Sequence, residues 1–145
     1  MGYWRSQEWP VVFVRHDSDN PTSPLFRSGP GNRFQDVITG SPDLLVRKSV
    51  NSSFHGTPDL RAWLVGEGIE QVAICGITTN HCCETTARVS GNLGFETFFV
   101  IDATHSFDRR SPDGELVPAA VLSSVTATNL HCEFATVVRT ADVVG

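Results

Sequence analysis

Apolar positions along the chain fall into short runs separated by polar, glycine-rich and proline-rich stretches. The most informative run is 71–77, QVAICGI, in which Val72, Ala73, Ile74 and Ile77 surround Cys75 and Gly76. A short apolar run without alternation predicts a strand buried on both faces of a parallel sheet. It gives way to Thr78, Thr79, Asn80 and His81, then restarts as a helical pattern that carries Cys82 and Cys83 and closes at Gly94. The hydroxyl and amide side chains of 78–81 predict caps for a helix beginning near Cys82. A thiol in such a first turn sits among unpaired N–H groups at the positive end of the helix dipole, which favours thiolate and lowers its pKa.

The remaining runs give an alternating order. Residues 10–16, PVVFVRH, predict a strand ending in charge, and GYWRSQEW before it reads as the last turns of a helix. Residues 17–41 are rich in Pro, Gly, Ser and Asn and show no period; an irregular segment of that length leaving a strand is expected to cover a pocket. Residues 43–49 predict a short strand with Leu44, Val46 and Lys48 on one side and Arg47 toward solvent. Thr57 is placed as an N-cap with Pro58 at the first helical position, followed by an inner stripe of Leu60, Trp63 and Leu64 and a stop at 66–68. Residues 96–102 predict another buried strand, with Asp102 bonding backbone in the next turn. Residues 118–130 predict a helix with Val121, Leu122, Val125 and Leu130 apolar, and 134–138 a last strand. Asp108, Arg109 and Arg110 read as a solvated loop.

Strands alternating with helices predict an α/β fold with a mostly parallel sheet and right-handed crossovers. Ligands in such folds bind beyond the carboxyl ends of the strands, where this reading puts His16, Lys48 and Cys82.

Composition narrows the partners. With 145 residues, 40% hydrophobic and 19% charged, the chain suits one domain over 1–145. A formal charge of −5 argues against nucleic acid and anionic membrane surfaces, leaving a small-molecule substrate. No run approaches the length needed to span a bilayer, and the first residues lack a signal-peptide core, so a cytoplasmic location is expected. The four cysteines are expected to be free, and none forms a C-x-x-C pair. Cys82 has the ordinary alternative of a small packing residue. Cys83, about 100° further round a helix, is expected in the core, and Cys75 and Cys132 are expected to pack.

The residues GITTNHCCETTAR (76–88), followed by GNLGFE and by a strand ending in DAT, resemble the isochorismatase-like cysteine hydrolases. Lys48 followed by Ser52, Ser53, Phe54, Gly56 and Thr57 strengthens the resemblance, which extends from about 11 to 138. It implies a three-layer α/β/α fold and a Cys, Lys and Asp triad. By motif Cys82 is the nucleophile and Lys48 the family lysine. A cis peptide is implied between Ile77 and Thr78, with the N–H groups of Thr78 and Cys82 forming an oxyanion hole. Phe54 and His16 are candidate substrate contacts.

The family's Asp ends a first strand ahead of the helix and strand that open this chain. That strand and its Asp are expected to be missing, and Asp17 and Asp19 do not match the motif. Nicotinamidases of the family hold a metal through an Asp-x-His pattern; 16–19 read HDSD, so no metal and no cofactor is expected. The resemblance implies thiolate attack on a small amide, loss of ammonia or an amine, and hydrolysis of a thioester. Without the Asp, general acid/base help worth about 10² to 10⁴ in rate would be absent. The alternatives are a non-catalytic binding or assembly subunit, an enol-ether hydrolase, and a thiol redox protein using Cys82 and Cys83. Pairing into homo-oligomers is expected from the family.

Overall fold

A computed structural model describes residues 2–144. Its contacts divide between Glu67 and Gly68 into two units, each with its own parallel sheet.

The first unit opens with α1 (Gly2–Ser6). The Trp4 indole N–H donates to the Pro10 carbonyl at 3.0 Å, and its ring meets Trp9 edge-on at 4.6 Å. β1 (Val12–His16) and β2 (Leu44–Lys48) pair in parallel, from Val12 opposite Leu44 to His16 opposite Lys48. β1 starts at Val12 rather than 10 because the Val11 N–H is taken by the Asp43 carboxylate at 2.8 Å instead of a ladder carbonyl. Alternation puts Val46 and Lys48 on one face, both buried, and Arg47 on the other, exposed. Arg15 lies opposite Arg47, a like-charge pairing that Asp17 relieves by accepting from Arg15 Nε at 2.9 Å.

Residues 17–41 are less irregular than their composition suggests. A bridge joins Ser18 and Phe26, and Pro30–Asn32 forms a 3₁₀ turn. Asn32 organises both: its buried amide donates to the carbonyls of His16 (2.7 Å) and Leu25 (3.3 Å) and to Asp17 Oδ1 (3.1 Å).

The start of α2 (Leu60–Gly66) corrects the expected cap. Thr57 exchanges backbone hydrogen bonds with Arg47 in both directions (2.9 and 2.8 Å), and the Thr57–Pro58 peptide is cis. Its main chain is committed to that bridge, so the helix begins two residues later. Asp59 caps it, accepting from the Ala62 N–H at 3.0 Å. Leu60 and Leu64 face inward and Trp63 is half-buried.

The second unit has three parallel strands in the order β3 (Gln71–Ile77), β4 (Glu96–His105), β7 (Thr136–Val138). Its core joins Cys83 and Ala87 of the central turn and α3 (Glu84–Asn92) to Phe99 of β4, Leu130 and Ala135. The strand buried at the centre is β4, not β3. Among the described residues β3 pairs with β4 alone, none of its residues is fully buried, and Cys75 is exposed rather than packed. An apolar run reports what a strand can bury; which strands flank it is a long-range fact.

β4 runs to His105, past the expected end at Asp102, because the register slips between Ile74 and Gly76 and so reaches Thr104. Gly76 sits in the slip with φ +125°, a conformation that favours glycine. α3 is tied to α4 (Ala119–Leu130) by Glu84, whose carboxylate accepts from Arg88 (2.7 Å) and Thr126 (2.7 Å). At Gly91 an added Cβ would lie 2.4 Å from the Phe134 carbonyl oxygen, so the chain leaving α4 passes against α3 only because no side chain intervenes.

Several expected elements shift. Asp108, Arg109 and Arg110 are not simply a loop: β5 (Arg109–Arg110) and β6 (Leu116–Val117) form an antiparallel hairpin. The last strand begins at Thr136 because the N–H groups of Phe134 and Ala135 both donate to the Leu130 carbonyl. Asp102 acts at long range, accepting from the N–H (2.7 Å) and hydroxyl (2.9 Å) of Thr140 at the start of α5 (Thr140–Val144). Of the apolar residues assigned to α4, Leu130 is buried, whereas Val121 and Val125 stay about half exposed. Cys132 is exposed, in a turn with φ +67°.

Candidate active site

The chain leaves β3 through a cis peptide between Ile77 and Thr78, with Thr78 extended at φ −101° and ψ 149°. It then enters a wide π turn, Thr79–Cys83, ahead of α3. The Cys83 N–H reaches back five residues to the Thr78 carbonyl at 3.2 Å, and the Glu84 N–H to those of His81 and Thr79. The expected capping does not occur, since Thr78 makes no side-chain cap. Thr79 and Asn80 instead reach sideways to the end of β4 and the residue after it. Thr79, fully buried, donates to the Thr104 hydroxyl at 3.0 Å, which donates to the Ile101 carbonyl at 2.9 Å. The buried Ser106 hydroxyl donates to Asn80 Oδ1 at 2.7 Å.

This clamp separates two adjacent thiols. Cys83 is 5% exposed and packs in the core, while Cys82 remains part-exposed on the turn. A shallow groove lined by Glu96, Cys132, Glu133 and Thr136 lies at the amino ends of β4 and β7, the opposite end of this sheet, and takes no part in the site.

At the ends of β1 and β2 the fold joins His16 and Lys48. Lys48 is 5% exposed, and its ammonium lies 3.2 Å from His16 Nδ1 and donates to the Val50 carbonyl at 3.0 Å. Burial, then the Lys48 charge, hold His16 below its ordinary value of 6.5 against the opposing pull of Asp17. Burial opposes the charge of Asp17, but hydrogen bonds from Arg15 and Asn32 and the fields of Arg15 and Arg47 prevail and hold its carboxyl low. Phe54 follows in a 3₁₀ turn (Ser53–His55), half-buried, with its N–H donating to the Ser52 hydroxyl at 3.2 Å. Among the described residues no cluster of three or more His, Cys, Asp or Glu is placed to hold a metal ion, and no helix is long and apolar enough to cross a membrane.

The isochorismatase domain model matches residues 3–129. The chain belongs to the isochorismatase family. The isochorismatase family protein YrdC of Bacillus subtilis (strain 168) is 37% identical over 142 residues, 97% of this chain and 75% of its own length. Nicotinamidase 3 of Arabidopsis thaliana is 33% identical over 126 residues, covering 77% of this chain and 63% of that protein. The solved structure of a cysteine hydrolase from Pseudomonas syringae pv. phaseolicola 1448A superimposes with a TM-score of 0.87 at 26% identity, over 99% of this chain and 74% of that one. The isochorismatase-like α/β/α fold with a mostly parallel sheet is therefore that of this chain, and its family is one of hydrolases.

Sequence reading missed the residues that brace the family turn. Thr79, Asn80, Thr104 and Ser106 carry small polar side chains at two strand ends, and that pairing of composition was the available signal. Asn32 offered less, because a lone Asn in a proline-rich stretch reads as a turn residue.

Proposed function

We propose that this chain is a cysteine-dependent hydrolase of a small amide, acting as a single domain with Cys82 as nucleophile and Lys48 as the lysine that supports its thiolate. The observation that carries the reading is the separation of the two thiols: the turn keeps Cys82 accessible while burying Cys83 beside it. The cis peptide before Thr78 is the one that the family resemblance implies, and by that resemblance the N–H groups of Thr78 and Cys82 are assigned to an oxyanion hole. The nicotinamidase among the relatives and the cysteine hydrolase among the solved structures support amide chemistry through sulfur.

In this mechanism the Cys82 thiolate attacks the amide carbonyl carbon. The two N–H groups stabilise the oxyanion as it develops, solvent water gives the nitrogen a proton, the C–N bond breaks, and ammonia or an amine departs. Water then hydrolyses the thioester and restores the thiol. Phe54 is assigned a place against the substrate.

Iodoacetamide labelling resolved by peptide mass tests the nucleophile. Exposure alone makes Cys132 the fastest thiol, since desolvation raises the pKa of the Cys75 thiol; activation makes Cys82 faster than Cys132 by about tenfold at pH 7, despite its lower exposure. Cys82 reacting no faster than Cys132 would remove the basis for the assignment.

A further inference from the structure

Lys48 presents a problem that the proposed mechanism leaves open, namely how a nearly buried ammonium is held ready on a strand end. An ammonium has three donors and no acceptor, so whatever lies against it must accept. One contact is the Val50 carbonyl at 3.0 Å; another is His16 Nδ1 at 3.2 Å. A ring nitrogen can accept from an ammonium only when it carries no proton, so this contact requires His16 in the neutral form with its hydrogen on Nε2. The parallel register places the two residues directly opposite on one face, so the contact is built into the strand pairing and does not depend on a mobile loop.

The main chain of His16 is fixed as well. Its carbonyl accepts from the buried Asn32 amide at 2.7 Å, and the next residue, Asp17, donates its N–H to the Lys48 carbonyl at 2.7 Å. Asp17 is itself held by Arg15 at 2.9 Å and Asn32 at 3.1 Å. The charged groups acting on the imidazole are Lys48, which opposes its protonation, and Asp17, which favours it. Arg15 and Arg47 act on Asp17 from the other face of the strand pair.

We infer that His16 is a positioning residue: its neutral Nδ1 holds the Lys48 ammonium in place, and protonation of the ring breaks that hold. The role of Lys48 rests on the functional reading above; the His16–Lys48 coupling does not.

Ring-nitrogen NMR on the ¹⁵N-labelled chain tests the coupling without a variant. The expected result is the Nε2–H tautomer at pH 7, with proton uptake on Nδ1 below pH 6.5. Lys48→Met is expected to raise the midpoint of that uptake and to admit the Nδ1–H tautomer. A proton on Nδ1 at pH 7, or a ring titration unmoved in Lys48→Met, overturns the inference. The positioning role is read from Cys82 alkylation at pH 7. His16→Asn returns an acceptor close to the place of Nδ1 and is expected within about twofold of the parent, while His16→Leu falls about fivefold, short of the Lys48→Met loss because the Val50 carbonyl still accepts from the ammonium. An equal loss in Asn and Leu variants counts against positioning. If Lys48→Met leaves Cys82 alkylation unchanged, the functional reading fails, and the ring tautomer still decides the coupling.

Discussion

The strand ends β2 and β3 each present one candidate group, and they do so by opposite means. At the end of β2 the group is a charge, and the fold surrounds it with acceptors: a ring nitrogen across the ladder and a carbonyl two residues on. At the end of β3 the group is a thiol with little hydrogen-bonding need, and the polar contacts go to the side chains of its turn neighbours, Thr79 and Asn80. A buried ammonium is expensive unless it is paired, so its site is made of partners. A thiol is inexpensive to hold, so its site is made of geometry. The first kind of site fails when a partner is lost, the second when a turn relaxes.

Mutations at the two ends should separate these modes of failure. Cys82→Ala is expected to lower ammonia release from a panel of small carboxamides, nicotinamide included, by at least about 10³-fold, with an unchanged urea midpoint. Lys48→Met should cost less, about 10²-fold, and retain the fold because Met fills the same space without a charge to satisfy. Equal losses at both positions would erase the distinction between nucleophile and support. Next in size, Thr79→Val removes the donor to Thr104 and should cost about 1 to 2 kcal/mol by urea unfolding, with slower Cys82 alkylation because the turn loosens. A stability loss without slower alkylation would show that the clamp serves the fold alone.

Acid provides the smallest effect and the sharpest sign. The ring of His16 binds a proton less readily folded than unfolded, so the unfolded chain takes up more protons as pH falls below 6.5. Stability should decline over that interval. Asp17, held low, adds stability that is present above its ordinary value of 3.8 and disappears as pH falls through the folded value. His16→Asn should flatten the first decline and leave the second, as read from urea midpoints between pH 7 and 3.

The parts legible in the sequence were those governed by local period. Alternation in 43–49 distinguished Lys48 from Arg47, and helical rotation distinguished Cys82 from Cys83. What failed depended on partners far along the chain. β3 looked doubly buried because pairing on one side only leaves no mark in the apolar side chains of Val72, Ala73, Ile74 and Ile77. Thr57 has the composition of a cap, yet its main chain is taken by Arg47 ten residues earlier. Thr79 and Asn80 bond to residues 25 and 26 positions away, beyond any local window. The β5 and β6 hairpin did carry a readable sign, the Asp113-Gly114 pair, with Gly114 at φ +89°.

Gly91 and Gly94 lie three residues apart and face different evolutionary futures. A lineage drifting at position 94, where φ is +90° and open space surrounds the missing Cβ, retains Asn as a tolerable substitute at modest conformational strain. At position 91 the obstacle is the Phe134 carbonyl itself, so even alanine would require two segments of backbone to part. Descendants of this chain should therefore vary at position 94 and hold glycine at position 91, until the turn after α4 is rebuilt.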